Sequence, residues 1–406
     1  MRRRNTLVLI CFLSSLLAGC AWPASRAERT ATGEPLAASA TATMEPSPTT
    51  SNVPPVLDAT PTAGPSPTPI SLPPTVPITS TPEPTAGASG PAEYPVTEIP
   101  LTGPVAASRA EVSGMAWYGD YVILLPQYPD FDGEGDGAVY ALSKAELLAY
   151  LTGARPGPLE PIPVPFVAPG LAEQIDGYEG YEAIAFLGDR VFLTIEAETA
   201  VGMRAYLVSG AIAPDLSSLM LDTATLAEIP AQSPLKNQSD EALLVTGDRL
   251  VTIYEANGAE VNPEPVAHVF DMALAPAGTI PFPNIEYRIT DATTLDREER
   301  FWAINYFFPG DTELLAENDP LAERYGQGPT HAQNVTVERL VEFQLSETGI
   351  SLVDTPPIQL ELSEMLLGAL GRNWEGLVRL DDLGFLLVTD LFPETILAFV
   401  PAPGHE

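Results

Sequence analysis

An internal repeat constrains this chain more than any other feature. Residues 182–196 read Glu-Ala-Ile-Ala-Phe-Leu-Gly-Asp-Arg-Val-Phe-Leu-Thr-Ile-Glu, and residues 241–255 read Glu-Ala-Leu-Leu-Val-Thr-Gly-Asp-Arg-Leu-Val-Thr-Ile-Tyr-Glu. Each copy opens on an acid, turns on Gly-Asp-Arg and closes on Glu fourteen residues later. Residues 113–127 and 291–305 keep that interval, and 375–390 keep it with one extra residue. A short apolar run, a Gly-Asp or Asp-Asp turn and a second apolar run predict a tight hairpin. The first run is apolar at almost every position, which predicts burial on both faces.

Two further strands are expected after each hairpin: 138–142 and 159–167, then 204–211 and 219–229, then 266–274 and 280–289, then 339–345 and 358–362. Four antiparallel strands per repeat predict an all-β fold, a β-propeller of about five four-stranded blades, with six possible if one copy has diverged. The last copy runs out after three strands. Residues 96–100 (Val-Thr-Glu-Ile-Pro) resemble 226–230 (Leu-Ala-Glu-Ile-Pro), so the N-terminal strand of the domain is expected to close the ring and remove two open edges. Residues 308–338 form a long polar insertion, and 364–372 read as a short helix.

In such a ring the start of each first strand and the end of each second strand share one mouth. The inner set is Ser113, Glu182, Glu241, Asp291 and Glu375, and the outer set is Gln127, Glu196, Glu255, Asn305 and Asp390. Seven of these ten are acids, and the arginines of the Gly-Asp-Arg turns lie at the opposite end. Crowded carboxylates protonate, spread apart or bind cations. Oxygen-only ligands suit calcium or magnesium. Glu182, Glu196, Glu241, Glu255, Asp291, Glu375 and Asp390 are therefore candidate calcium ligands. The alternative is that each accepts backbone N–H bonds from the next blade. Asp130, Asp132 and Glu134, followed by Gly135, match the first half of an EF-hand-type loop, although Ala141 stands where the closing Glu belongs. Arg288, Lys236 and Arg372 precede three first strands on the same face. They are placed either to bind an anionic substrate or to pair with neighbouring acids.

Composition divides the chain into three. Residues 1–20 carry Arg2, Arg3 and Arg4 before an apolar run too short to span a bilayer, the pattern of a secretory leader. Leu17-Ala18-Gly19-Cys20 resembles the bacterial lipobox, which implies a lipidated Cys20 and a place on the extracytoplasmic side of the cell envelope. Residues 21–92 are a Pro/Thr/Ser-rich linker. The stretch 41–90 alone holds 13 of the 43 Pro and only three charged residues, too little apolar surface to offset the entropy of ordering. Residues 93–403 are the folded domain and carry the acidic excess. The whole chain has 54 Asp plus Glu against 19 Lys plus Arg, which argues against nucleic acid as a partner. With two Cys, one of them (Cys11) inside the leader, no disulfide framework is expected. The chain reads as a monomer.

No Gly-x-Ser-x-Gly elbow, Walker loop or dinucleotide fingerprint is present, and none of the three histidines is placed for a Ser-His-Asp arrangement. The repeats, Ser113-Gly114-Met115-Ala116-Trp117 and Asn373-Trp374-Glu375-Gly376-Leu377 resemble the phytase-like "esterase-like activity" family of secreted bacterial proteins. That resemblance implies a propeller, export and a link to calcium-dependent phytases, which grip phosphate with Lys and Arg. This chain has two lysines. A more distant likeness to calcium-dependent lactonase propellers implies one channel metal. Two functions follow. One is a calcium-dependent hydrolase of phosphate or carboxylic esters, acting on a small anionic or ester substrate, with Glu182, Glu241 and Glu375 as catalytic candidates. The other is a non-enzymatic propeller whose mouth binds a ligand or partner.

Overall fold

The computed structural model describes residues 90–404, apart from positions 134, 366, 367, 370, 392 and 393. The expected leader with Cys20, all but the last residues of the linker, Glu134 and His405 lie outside the described residues. Among the described residues no helix is long and apolar enough to cross a membrane.

The described chain is all-β, with short helices confined to connections. It opens with β1 (Thr97–Ile99). The first repeat is β2 (Val112–Tyr118), β3 (Tyr121–Pro126), β4 (Ala138–Ser143) and β5 (Ile162–Val167). The second is β6 (Tyr178–Leu187), β7 (Arg190–Thr199), β8 (Gly202–Ile212) and β9 (Leu219–Ile229). The third is β10 (Asp240–Thr246), β11 (Arg249–Tyr254), β12 (Val266–Asp271) and β13 (Pro276–Pro281). The fourth is β14 (Arg288–Ala292), β15 (Arg300–Phe307), β16 (Val337–Ser346) and β17 (Gly349–Leu352), with β18 (Ile358–Gln359) also on β16. After the hairpin β19 (Glu364–Met365) and β20 (Gly368–Ala369) come β21 (Trp374–Leu380), β22 (Gly384–Thr389) and β23 (Leu397–Pro401).

Each repeat is an antiparallel meander, and the last is completed by β1, which pairs with β23 through Thr97 and Phe399. The Gly-Asp turns form as read: Gly119, Gly188 and Gly247 take φ of 56–59°, the left-handed region a two-residue hairpin turn needs. The first strands pack side by side, β2 on β6 and β21, and β10 on β6 and β14, with β14 also on β21. They approach closely because a small residue follows each inner position: Gly114, Ala183, Ala242, Ala292 and Gly376. A Cβ at Gly114 would stand 2.8 Å from the Glu182 carbonyl oxygen. The apolar core lies between neighbouring sheets. Ile123 and Leu125 pack toward the second repeat with Val191 and Leu193, while Val122 and Leu124 pack toward the last with Val378 and Leu386.

Several expectations need correction. The fourth strand of the third repeat is β13, not 280–289, because Ile289 already belongs to β14. The outer strand of the fourth repeat is β17, with 358–359 a second short partner of β16. Residues 364–372 contain a β-hairpin rather than a helix. The outer strands of the first two repeats are not separate edges: β5 and β9 pair in parallel at Phe166–Leu219 and Val167–Met220, giving one eight-stranded sheet. The insertion after β15 holds two single turns of 3-10 helix and the helix Pro320–Tyr325, capped by Asp319.

The start of the domain is fastened to this insertion. Glu93 accepts hydrogen bonds from the Thr330 N–H and hydroxyl and from the His331 N–H, and pairs with His331 Nδ1 at 2.8 Å. Burial raises its carboxyl, but these bonds outweigh burial and hold it below the usual carboxylate range.

Candidate functional site

Every first strand bulges at its inner-ring residue. The ladder skips Ser113 between Val112 and Gly114, Glu241 between Asp240 and Ala242, and Glu375 between Trp374 and Gly376. It also skips Glu182 with Ala183, and Thr290 with Asp291. A bulge leaves the extra residue out of the ladder and re-aims its side chain. Five bulges thus gather one residue from each repeat at the same end of the inner strands.

The ten ring residues then divide into two groups. Four are architectural. The Ser113 hydroxyl donates to the Tyr181 carbonyl at 2.6 Å. Asp291 accepts from the backbone N–H of Leu377 and of Ala292, both at 2.7 Å. Asn305 donates to the Glu286 and Arg288 carbonyls and accepts from Arg339 Nε. Gln127 donates to Glu182 at 3.0 Å. Asp291 accepts backbone N–H bonds as the alternative expected, yet burial outweighs the N–H groups of Leu377, Ala292 and Met115 and leaves its carboxyl well above the ordinary value.

Of the other six, Glu241, Glu255 and Glu375 meet Arg288, Glu196 and Asp390 feel its charge, and Glu182 joins them through Glu196 and Glu241. Arg288 Nε contacts Glu255, Nη2 lies 3.1 Å from Glu375 and 3.6 Å from Glu241, and Nη1 donates to the Asn373 side chain at 3.4 Å. Asn373 also donates to Asp390 at 3.3 Å. Burial would lower the guanidinium, but Glu375 and Glu241 outweigh it and hold Arg288 protonated. The residue before it is strained. Tyr287 sits at φ 74°, an outlier for a bulky side chain, with its ring 4.7 Å from that of Phe307.

One guanidinium does not satisfy six carboxyls. Glu196 Oε2, Glu241 Oε2, Glu255 Oε2 and Asp390 Oδ1 are buried without a hydrogen-bond partner. Five of the six, Glu182, Glu196, Glu241, Glu375 and Asp390, are raised toward the protonated form. Burial pushes Glu196 up to about 7. Burial pushes Glu241 up to about 8, against the pull of Arg288. Burial, then Glu196 and Glu241, drive Glu182 well above the carboxylate range, and burial does the same for Glu375. Burial also raises Asp390, and burial with the Asp390 charge raises Glu111.

Arg288 also lines an open cavity of about 340 Å³ together with Lys236, Asn237, Gln238, Asp311 and Glu313. Two more buried oxygens without a partner, Gln238 Oε1 and Asp311 Oδ2, belong to these walls. Lys236 pairs with Glu198 at the surface. Arg372, placed on this face by the sequence, is instead buried against Glu338. Asp130 and Asp132 lie on an exposed turn, where the Gly133 N–H bonds the Asp130 carbonyl.

The donor chemistry of the cluster is hard oxygen, as calcium prefers. The arrangement does not fit a resident ion, because Arg288 already lies between Glu255, Glu375 and Glu241. Among the described residues no three His, Cys, Asp or Glu side chains converge closely enough to hold a metal. Sequence reasoning missed Gln238, Asp311, Asn373 and Glu111. Glu111 and Asn373 each stand two residues before an inner-ring position, as Ser239 does before Glu241, so the repeat register could have flagged them.

No protein-family model matches the chain, and no curated protein matches it. Among solved structures it is similar to a glucose dehydrogenase, at 12% identity, covering 76% of this chain and 99% of that one, with a TM-score of 0.39. It is also similar to a GH43 endo-arabinanase from Bacillus licheniformis, at 9% identity, 74% and 96% coverage and a TM-score of 0.39. A structure from the GH130 family of mannoside phosphorylases aligns at 8% identity, 77% and 95% coverage and a TM-score of 0.43.

Proposed function

We propose that residues 93–403 form a five-bladed propeller closed by β1, and that its mouth hydrolyses a small ester or phosphoester. The observation that carries this reading is the cavity wall at Arg288, behind which stand buried carboxyls that titrate near neutral pH. Such a set titrates as a unit, so protonated and ionised members coexist at pH 7. Hydrolysis needs that pairing. An ionised carboxylate takes the proton from an attacking water, and a protonated carboxyl gives one to the leaving oxygen. Glu241 is our choice for the proton donor. Arg288, with Lys236 at the rim, offers positive charge to a carbonyl or phosphoryl oxygen in the cavity. The charges on the walls favour a small polar substrate.

In this reading Cys20 carries lipid, and the domain works outside the cytoplasmic membrane at the end of its linker. Replacing Cys20 by Ala should move the protein from the membrane fraction to the soluble one.

The test is turnover of 4-nitrophenyl esters and phosphates by the full chain, with and without calcium. Glu241→Gln should lower kcat by about 100-fold or more while leaving the fold intact. Absence of turnover on both substrate classes, with ligands still binding at the mouth, would replace the hydrolase with the binding-propeller reading.

A further inference from the structure

We infer that the cavity at Arg288 binds a neutral polyol, a hydroxylated carbon skeleton, through Gln238 and Asp311, so that the substrate of the mouth is a polyol ester rather than a phosphoester. The binding stands by itself; the step from ligand to substrate rests on the hydrolase reading.

The walls are short of hydrogen-bond donors at two atoms. Gln238 Oε1 and Asp311 Oδ2 are buried and have no partner. Both residues line the cavity, whose volume of about 340 Å³ suits a small ligand. Gln238 keeps only 7% of its surface exposed, so bulk water does little for it. A buried acceptor without a donor is destabilising, which makes a guest with donors welcome. Each oxygen ends a flat terminal group whose last torsion is broad, so a small turn presents it to the cavity. Neither residue belongs to the ring of acids that meets Arg288.

Charge decides what kind of guest that is. Both cations of the walls already have carboxylates: Arg288 has Glu255, Glu375 and Glu241, and Lys236 has Glu198. Asp311 and Glu313 stand in the same walls. An anion such as phosphate brings acceptors, leaves Gln238 and Asp311 as they are, and meets two carboxylates. An ammonium brings donors but meets Arg288 and Lys236. A hydroxyl donates through its hydrogen and accepts at its oxygen. It gives to Gln238 Oε1 or Asp311 Oδ2 and takes an N–H from a cation. Two such oxygens call for two hydroxyls on one skeleton. Leu235 and Leu314 add an apolar wall, against which the C–H face of that skeleton packs.

Ligand-observed NMR titration of the full chain tests this, with sorbitol, inorganic phosphate and tetramethylammonium as probes. Sorbitol should bind with millimolar affinity, and the two ions at least about 10-fold more weakly. Gln238→Leu, which removes the acceptor, should weaken sorbitol about 10-fold. Asp311→Asn should weaken sorbitol and strengthen phosphate, because a wall charge is gone; it carries the test alone if Gln238→Leu does not fold. Sorbitol that binds no tighter than the ions, or equally to wild type and Asp311→Asn, would overturn the inference and leave the cavity to water. Turnover of 4-nitrophenyl esters without sorbitol binding would keep the hydrolase and remove the polyol. Sorbitol binding without turnover would do the reverse. Where both occur, sorbitol should compete with the ester; binding without competition would put the polyol elsewhere and overturn the inference.

Discussion

Glu338 and Glu255 are both wholly buried and both face an arginine, yet they stand in opposite conditions. Glu338 spends every acceptor. Its Oε1 takes the Arg372 backbone N–H at 2.6 Å. Its Oε2 takes Arg372 Nε and Nη2 and the Trp374 indole N–H at 2.7–3.1 Å. Its own N–H goes to His331 Nε2. Glu255 spends one oxygen on Arg288 and leaves the other without a partner. The first network is finished and therefore rigid, tying the insertion to the last repeat. The second is short of donors, so its members compete for one guanidinium and for protons. Within one acidic domain, hydrogen-bond completeness separates architecture from site better than burial or charge does.

The sharpest challenge to that contrast is to remove each arginine in turn. Arg372→Met should destabilise the domain by about 3–5 kcal/mol, because Glu338 loses charged donors and stays buried. Arg288→Met should cost clearly less, since burial already raises Glu241 and Glu375 toward the protonated form. Equal losses in denaturant melts would erase the distinction. Next in size is Gly114→Ala, which forces a Cβ to 2.8 Å from the Glu182 carbonyl and should cost about 1–3 kcal/mol.

A pH series is gentler. Glu241 and Glu196 are raised in the folded chain to about 8 and about 7, above their ordinary value of 4.5. Between those limits the unfolded chain has released protons that the folded chain keeps. The stability they contribute is full below the unfolded value and is lost as pH rises through the folded ones. The melting temperature should therefore fall by roughly 5 °C from pH 5 to pH 8. Glu241→Gln should flatten that slope. A slope unchanged by Glu241→Gln would remove the mouth as its source. The smallest effect is expected from Asp291→Asn, which weakens two backbone hydrogen bonds. It should cost about 1 kcal/mol, with no change in turnover. A large loss of activity there would move Asp291 from the finished group to the unfinished one.

The repeat itself was legible because its signals are local. A Gly-Asp turn between two apolar runs leaves few alternatives, and β2–β3, β6–β7 and β10–β11 form where they are read. The outer strands were less legible. β13 is Pro-Ala-Gly-Thr-Ile-Pro, largely exposed, and proline is tolerated on such an edge while giving no strand pattern. The 364–372 segment carries helix-forming residues, but tertiary context turns part of it into a hairpin. At the site, the fourteen-residue interval marked the ring positions. It gave no sign of the five bulges, because strand alternation assumes an unbroken ladder. It placed Arg288 on the right face but not among its partners. Glu255 and Glu375 lie 33 and 87 residues away, and only the packing of the inner strands brings them together.

The pairing of β1 with β23 has a consequence in time. Thr97 is made early and Phe399 late, and neither has its native neighbour until nearly the whole domain exists. As a chain emerges N-terminus first, β1 has nothing to join until β23 is made. Contacts this distant in sequence make a slow last step. The final sheet therefore acts as a completion check: a chain truncated before β23 can build its earlier hairpins but has no partner for β1.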